Sequence, residues 1–165
     1  TMMAHYYLGC CYDKGNGVSQ DLAKAAQEFA IAANQGHPFS QFNLADCYYT
    51  GKGVDKDFAR AAELFAKAAD SGLREAYHML GCIYYQGGYG VTKDLSRAAQ
   101  EFKKAVDRGY VRAKRNLAFC YLNGEGVTKD EAMAIKLLSE LMNDPENQDE
   151  FSTYLRGNRN SKVPA

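Results

Sequence analysis

The sequence predicts an all-α fold: an α/α right-handed superhelical solenoid of four helix-turn-helix repeats, closed by a C-terminal capping helix. Three observations predict it. A pattern of apolar residues, glycines and an aspartate returns every 36 residues, as from Leu8 to Leu44 and on to Leu80. Each copy opens with apolar residues at i, i+4 and i+8, as Ala4, Leu8 and Tyr12 do, which is a helical period and not a strand period. Composition agrees: 165 residues, 46% apolar and 24% charged, describe a globular chain long enough for one continuous core.

The first copy runs Ala4, Leu8, Gly9, Tyr12, Gly15, Gly17, Val18, Asp21. The second runs Ser40, Leu44, Ala45, Tyr48, Gly51, Gly53, Val54, Asp57. The third, with one residue inserted in its loop, runs Ala76, Leu80, Gly81, Tyr84, Gly87, Gly90, Val91, Asp94. The fourth runs Ala113, Leu117, Ala118, Tyr121, Gly124, Gly126, Val127, Asp130. Each unit reads as two helices. The Gly-x-Gly pair ends the first helix, because glycine enters left-handed backbone without penalty. The aspartate opens the second, where a carboxylate accepts orphan N–H groups at the positive end of the helix dipole. Alanine pairs such as Ala25/Ala26 then permit close helix approach, and the column Phe29, Phe65, Phe102, Leu138 fills the space between hairpins. Gly36, Gly72 and Gly109 stop the second helices. No single hairpin buries both of its faces, so the units must stack. The expected repeats are about 4–39, 40–75, 76–112 and 113–142 within residues 1–142. Residues 143–165 match none of them. Phe151, Tyr154 and Leu155 are spaced i, i+3 and i+4, so a short capping helix is expected around 146–156, followed by a polar, flexible tail. The chain opens on Thr1 in mid-pattern, which reads as a fragment of a longer protein.

The Leu-Gly-x-x-Tyr, Gly-x-Gly-Val and Asp-x-x-Lys/Arg-Ala elements, with Asp21-Leu-Ala-Lys24-Ala25 as a close copy, resemble the Sel-one-like repeat family, a relative of the tetratricopeptide repeats. The resemblance covers about residues 4–142. It departs in the fourth copy, where Met133 replaces Lys24, Arg60 and Arg97, and Ile135, Leu141 and Met142 replace small residues. The resemblance implies an adaptor or scaffold that binds a protein or peptide and catalyses nothing.

A helical wheel extends this. With Leu8 at zero and about 100° per residue, Ala4, Cys11 and Tyr12 form the core face of the first helix, while Tyr6, Cys10 and Asp13 fall at about 140 to 200°, away from the second helix. Stacking makes three columns on the concave face: Tyr6, Phe42, His78, Arg115; Cys10, Asp46, Cys82, Phe119; and Asp13, Tyr49, Tyr85, Leu122. Aromatic rings at an inner surface read as interface anchors. The other reading is that these rings pack on neighbouring helices or against the rest of a longer chain. The partner-binding candidates are thus Tyr6, Phe42, Asp46, Tyr49, His78, Tyr85, Arg115, Phe119 and Leu122. A basic run, Lys103, Lys104, Arg108, Arg112, Lys114 and Arg115, is either a dock for an acidic peptide or a set of solvated helix ends.

Other function classes find little support. Lys+Arg and Asp+Glu balance at 20 each, which removes the long-range pull toward phosphate, so no nucleic acid is expected. No apolar run approaches the roughly 18 residues of a membrane span. The five cysteines do not lie on any second helix, and neighbouring first helices, about 8–10 Å apart, stand beyond the roughly 7 Å limit for a disulfide. Free thiols in a reducing, cytoplasmic compartment fit this better, with oxidation of Cys10 or Cys82 as a redox alternative. His5, His37 and His78 are scattered, so no metal and no other cofactor is expected. The Gly-x-Gly turns follow no strand, unlike phosphate loops. No serine adjoins a histidine in sequence. The cysteine-rich relatives linked to β-lactam binding carry a disulfide framework absent here, so an enzyme of that kind ranks behind an adaptor and behind a regulatory segment that contacts its own chain.

Overall fold

The computed structural model describes residues 1–145, and the capping helix and tail expected beyond them lie outside the described residues. The order is α1 (Met2–Lys14), α2 (Leu22–Asn34), α3 (Pro38–Thr50), α4 (Phe58–Asp70), α5 (Arg74–Gln86), α6 (Leu95–Asp107), α7 (Ala113–Asn123) and α8 (Glu131–Met142). Among the described residues no strand forms; one isolated bridge, Gly88 to Val91, closes the loop of the third repeat. Each helix packs chiefly on its neighbours in the chain, the contact order of a stacked array.

The second helix of every hairpin starts the same way. Asp21, Asp57, Asp94 and Asp130 stand in extended backbone and accept a hydrogen bond from the N–H three residues on, at Lys24, Arg60, Arg97 and Met133. Each such cap contributes about 1 kcal/mol. The Lys24 N–H holds the Asp21 carboxyl below its ordinary range. First helices α1, α3 and α7 end on left-handed glycines, Gly15, Gly51 and Gly124.

The core is built from small and large residues in register. Phe29, Phe65 and Phe102 are buried, each flanked by buried alanines. Leu44 and Cys47 of α3 pack with Ala25, Ala26, Phe29 and Ala33 of α2, so the second helix of one repeat covers the first helix of the next. Repeat one departs from the expectation. Ala4 is exposed and Leu8 keeps 38% of its surface, because no second helix precedes α1 in the described chain to cover them. The matching leucines Leu44, Leu80 and Leu117 are buried.

The second glycine of the Gly-x-Gly turn has a reason beyond its dihedral. A Cβ at Gly53 would lie 2.1 Å from the carbonyl oxygen of Leu22, and one at Gly126 would lie 2.0 Å from that of Leu95. The turn thus presses on the first residue of the preceding second helix. Repeat three solves the same contact differently. Its longer loop places Tyr89 at φ 50°, and the Tyr89 carbonyl accepts hydrogen bonds from the N–H groups of Phe58 and Ala59, at the start of α4.

Candidate functional site

The predicted columns do not all face the same way. In the first, Tyr6, Phe42 and His78 lean onto the second helix of their own repeat: their ring centroids stand 6.4 Å from Phe29, 5.1 Å from Phe65 and 5.6 Å from Phe102. The expectation that they point away from it is corrected. A wheel locates a Cβ, whereas helical side chains project back toward the N-terminus and a ring reaches well past its own Cβ. Tyr6 also meets the His37 ring at 4.8 Å, and His78 meets Tyr110 at 5.4 Å. These side chains therefore fill the seam between a second helix and the start of the next repeat. Arg115, which ends this column, is exposed.

The middle column is likewise half-buried at its first three positions and exposed at its last. Phe119 leaves 50% of its surface uncovered. Asp46 is half-buried, and burial raises its carboxyl above the ordinary range; Asp13 on α1 adds to the rise and Lys52 opposes it. Cys10 is half-buried as well. The Cys82 sulfur lies 3.7 Å from His78 Nε2, and burial pushes its thiol up to about 11. His78 is half-buried with Nδ1 unpaired, and burial, then Arg112, lowers its pKa.

The third column links repeats. Gln86 Nε2 donates to the Tyr49 hydroxyl, joining α5 to α3. The Tyr85 hydroxyl donates to Glu125 Oε2 at 2.7 Å, joining α5 to the loop after α7. That bond, more than burial, raises the Tyr85 hydroxyl's pKa. The Tyr49 ring stacks on buried Phe58 at 5.2 Å and an interplanar angle of 16°. Leu122 is half-buried against the core of repeats three and four. Asp13 is half-buried. Gln86 and Glu125 were not among the predicted residues. Their only sequence signal is polarity at unremarkable positions, one at the end of a helix and one between two turn glycines.

The basic run is split up by its surroundings. Lys103 pairs with Asp107 at 2.9 Å, Lys104 with Glu101 at 2.9 Å and Lys114 with Glu140 at 3.0 Å, while the Arg108 guanidinium lies 4.4 Å from the Tyr77 ring centroid. A continuous basic dock is not what these side chains form. The cysteines Cys10, Cys11, Cys47, Cys82 and Cys120 are free. Burial raises the thiols of Cys47, Cys82 and Cys120 to about 11, which disfavours the reactive thiolate at these three positions. Among the described residues no helix is long and apolar enough to cross a membrane.

What this face offers is contact surface: half-exposed rings, hydroxyls fixed by bridges between repeats, and a few charges. The comparisons with known proteins agree with the repeat geometry. A model of the Sel1 repeat matches residues 3–37, 38–73, 74–110 and 111–140. Among curated proteins none matches. A protective antigen of uropathogenic Escherichia coli strains, with an SLR fold, is 32% identical at a TM-score of 0.78 over 91% of this chain and 31% of its own. A Sel1 repeat protein from Oxalobacter formigenes is also 32% identical, at 0.73, over 83% of this chain and 56% of its own. Cysteine rich protein B of Helicobacter pylori is 25% identical, at 0.57, over 79% of this chain and 94% of its own. This chain thus spans about a third and about half of the first two structures. Four matched units that fold as four stacked hairpins, each opened at its second helix by the same aspartate cap, make this chain a member of the Sel1 repeat family.

Proposed function

We propose that this chain is an adaptor that binds a protein or peptide partner on the concave face formed by its first helices. Sel1 repeats generally mediate protein–protein interaction. The observation that carries the finer reading is the strip of partly open rings, Tyr49, Tyr85 and Phe119, on three successive repeats of that face. Half-exposed aromatic side chains held in place by their surroundings make strong anchors, since little conformational freedom is left to lose on binding. Asp46, Arg115 and the Gln86 and Glu125 bridges supply the polar surroundings. Tyr6, Phe42 and His78 fix the first helices against the second helices of their own repeats, and Leu122 packs against the core of repeats three and four. Five free cysteines, three of them with raised thiols, support a reducing compartment such as the cytoplasm.

The test is selection of peptides from a random displayed library on the purified chain, repeated on Phe119→Ala with Tyr85→Ala. Phe119 and Tyr85 are the open members, so the fold survives, which circular dichroism checks. Loss of selection in the double variant supports the face; undiminished selection rejects it. A second reading, contact with other parts of a longer chain, is favoured at a different place. The side of α1 that matches the covered side of α3 leaves Ala4 and Leu8 exposed. Crosslinks from that side to other segments of the full-length protein would establish it.

A further inference from the structure

In repeats two, three and four one surface of the first helix and its turn is covered by the second helix of the repeat before. Among the described residues, repeat one has the same surface open. Ala4 is exposed, while its counterparts Ser40, Ala76 and Ala113 are fully buried. Leu8 and Val18 keep 38% and 37% of their surface. The counterparts of Val18, which are Val54, Val91 and Val127, pack on core clusters that contain α2, α4 and α6. Cys11 is half-buried, whereas Cys47, Ile83 and Cys120 are buried. The Gly17 turn completes the surface. A Cβ there would meet nothing within 4 Å. At Gly53 and Gly126 it would strike the carbonyl of Leu22 or Leu95, the residue that follows the aspartate cap of the covering helix.

We propose that this face of α1 seats the second helix of a further Sel1 hairpin, supplied by a longer polypeptide that contains this chain. The inference deepens the second reading above, contact with other parts of a longer chain, and rests on it. Three occupied copies of the surface state what the occupant must be. Each covering helix opens with an aspartate, carries an alanine pair four and five residues on, and sets a phenylalanine eight residues on. In α2 these are Asp21, Ala25, Ala26 and Phe29, and α4 and α6 repeat the spacing. The small pair lets a first helix approach closely, and removal of Leu8 and Val18 from water drives the docking. A second copy of this chain fits less well. Its α2, α4 and α6 already cover first helices, and α8 carries Ile135 where those helices carry Ala26, Ala62 and Ala99. A branched side chain at that place holds the helix axes apart.

The first test builds the occupant. Residues 1–36 are duplicated ahead of Thr1, which keeps the register of the repeat, so that a copy of α2 lies on the open face. Leu8→Ala beneath that copy should then lower the folding equilibrium constant about a hundredfold, against about fivefold or less in the unextended chain. Equal losses in the two backgrounds overturn the fit. The second test reads the occupant in the full-length protein, produced in its own cells with photoleucine, which replaces leucine with little change in bulk. Mass spectrometry should join the Leu8 peptide to a peptide of the same polypeptide that carries Asp-x-x-Lys/Arg-Ala. A link to a different kind of segment in that polypeptide overturns this inference and leaves the second reading standing. A link to a separate protein or to a second copy, or no link at Leu8, overturns both.

Discussion

Repeats one and two spell nearly the same motif, yet the same letters carry different loads in them. Leu44 is buried under α2, while its counterpart Leu8 keeps 38% of its surface. Gly53 presses on the Leu22 carbonyl, while its counterpart Gly17 has nothing within 4 Å of where its Cβ would be. Repeat two places buried Ala45 where repeat one has Gly9, and a Cβ at Gly9 would lie 2.7 Å from the Phe29 ring. In repeat two the ring at this place, Phe65, meets Phe42 edge-on and shares a cluster with the Ala45 methyl. The motif therefore states what a repeat needs when another precedes it. Whether the need is exercised depends on the neighbour.

The largest separation between the two repeats should come from the leucines. Leu44→Ala is expected to cost about 3 kcal/mol in urea unfolding, as a cavity opens between α2 and α3, whereas Leu8→Ala costs about 1 kcal/mol or less. Equal losses would break the comparison, because they would mean that Leu8 is covered in solution. The turn glycines come next. Both sit near φ 70°, so alanine at either pays about 1–2 kcal/mol for left-handed backbone, but Gly53→Ala adds a collision with a carbonyl and should reach about 3 kcal/mol. A melting temperature that falls equally for Gly17→Ala and Gly53→Ala would remove the turn-to-helix contact from the account.

Gly9→Ala decides between two opposed effects. Alanine is favoured in a helix by about 1 kcal/mol, but a methyl against a buried ring costs about 1–3 kcal/mol, so net destabilisation of about 1 kcal/mol is expected. A gain in stability would show that Phe29 moves freely. The smallest effect concerns Asp46, which stands where repeat one has Cys10. Its folded carboxyl is raised, mainly by burial, so in the window between the ordinary carboxylate pKa and that raised value the folded chain binds more protons than the unfolded one. Stability contributed at Asp46 therefore falls as pH rises through this window. Asp46→Asn should raise the melting temperature at neutral pH, with the advantage vanishing as the medium becomes more acid than the ordinary carboxylate range. An advantage independent of pH would remove charge as its cause.

The candidate site was less legible than the frame that carries it. The rings at Tyr49 and Tyr85 stand one repeat apart and so were readable as equivalent positions, while Phe119 was reached only through the neighbouring column. The inward lean of Tyr6, Phe42 and His78 was not, because a wheel has no term for the length of a side chain or for the neighbour it meets. Gln86 and Glu125 carried no periodic signal at all. Each bridges residues about 40 positions apart, as from Tyr85 to Glu125, and such pairs become neighbours only when hairpins stack.

The sequence by itself determined the hairpins. Helical period, glycine stops and aspartate caps act within a few residues, where backbone sterics and local hydrogen bonds decide without help from distant parts. Only the tertiary structure decided which leucine is covered, which glycine is pressed, which lysines are paired and which rings stay open. Those outcomes depend on side chains from another repeat, and the linear pattern holds no record of how far a ring reaches across the gap.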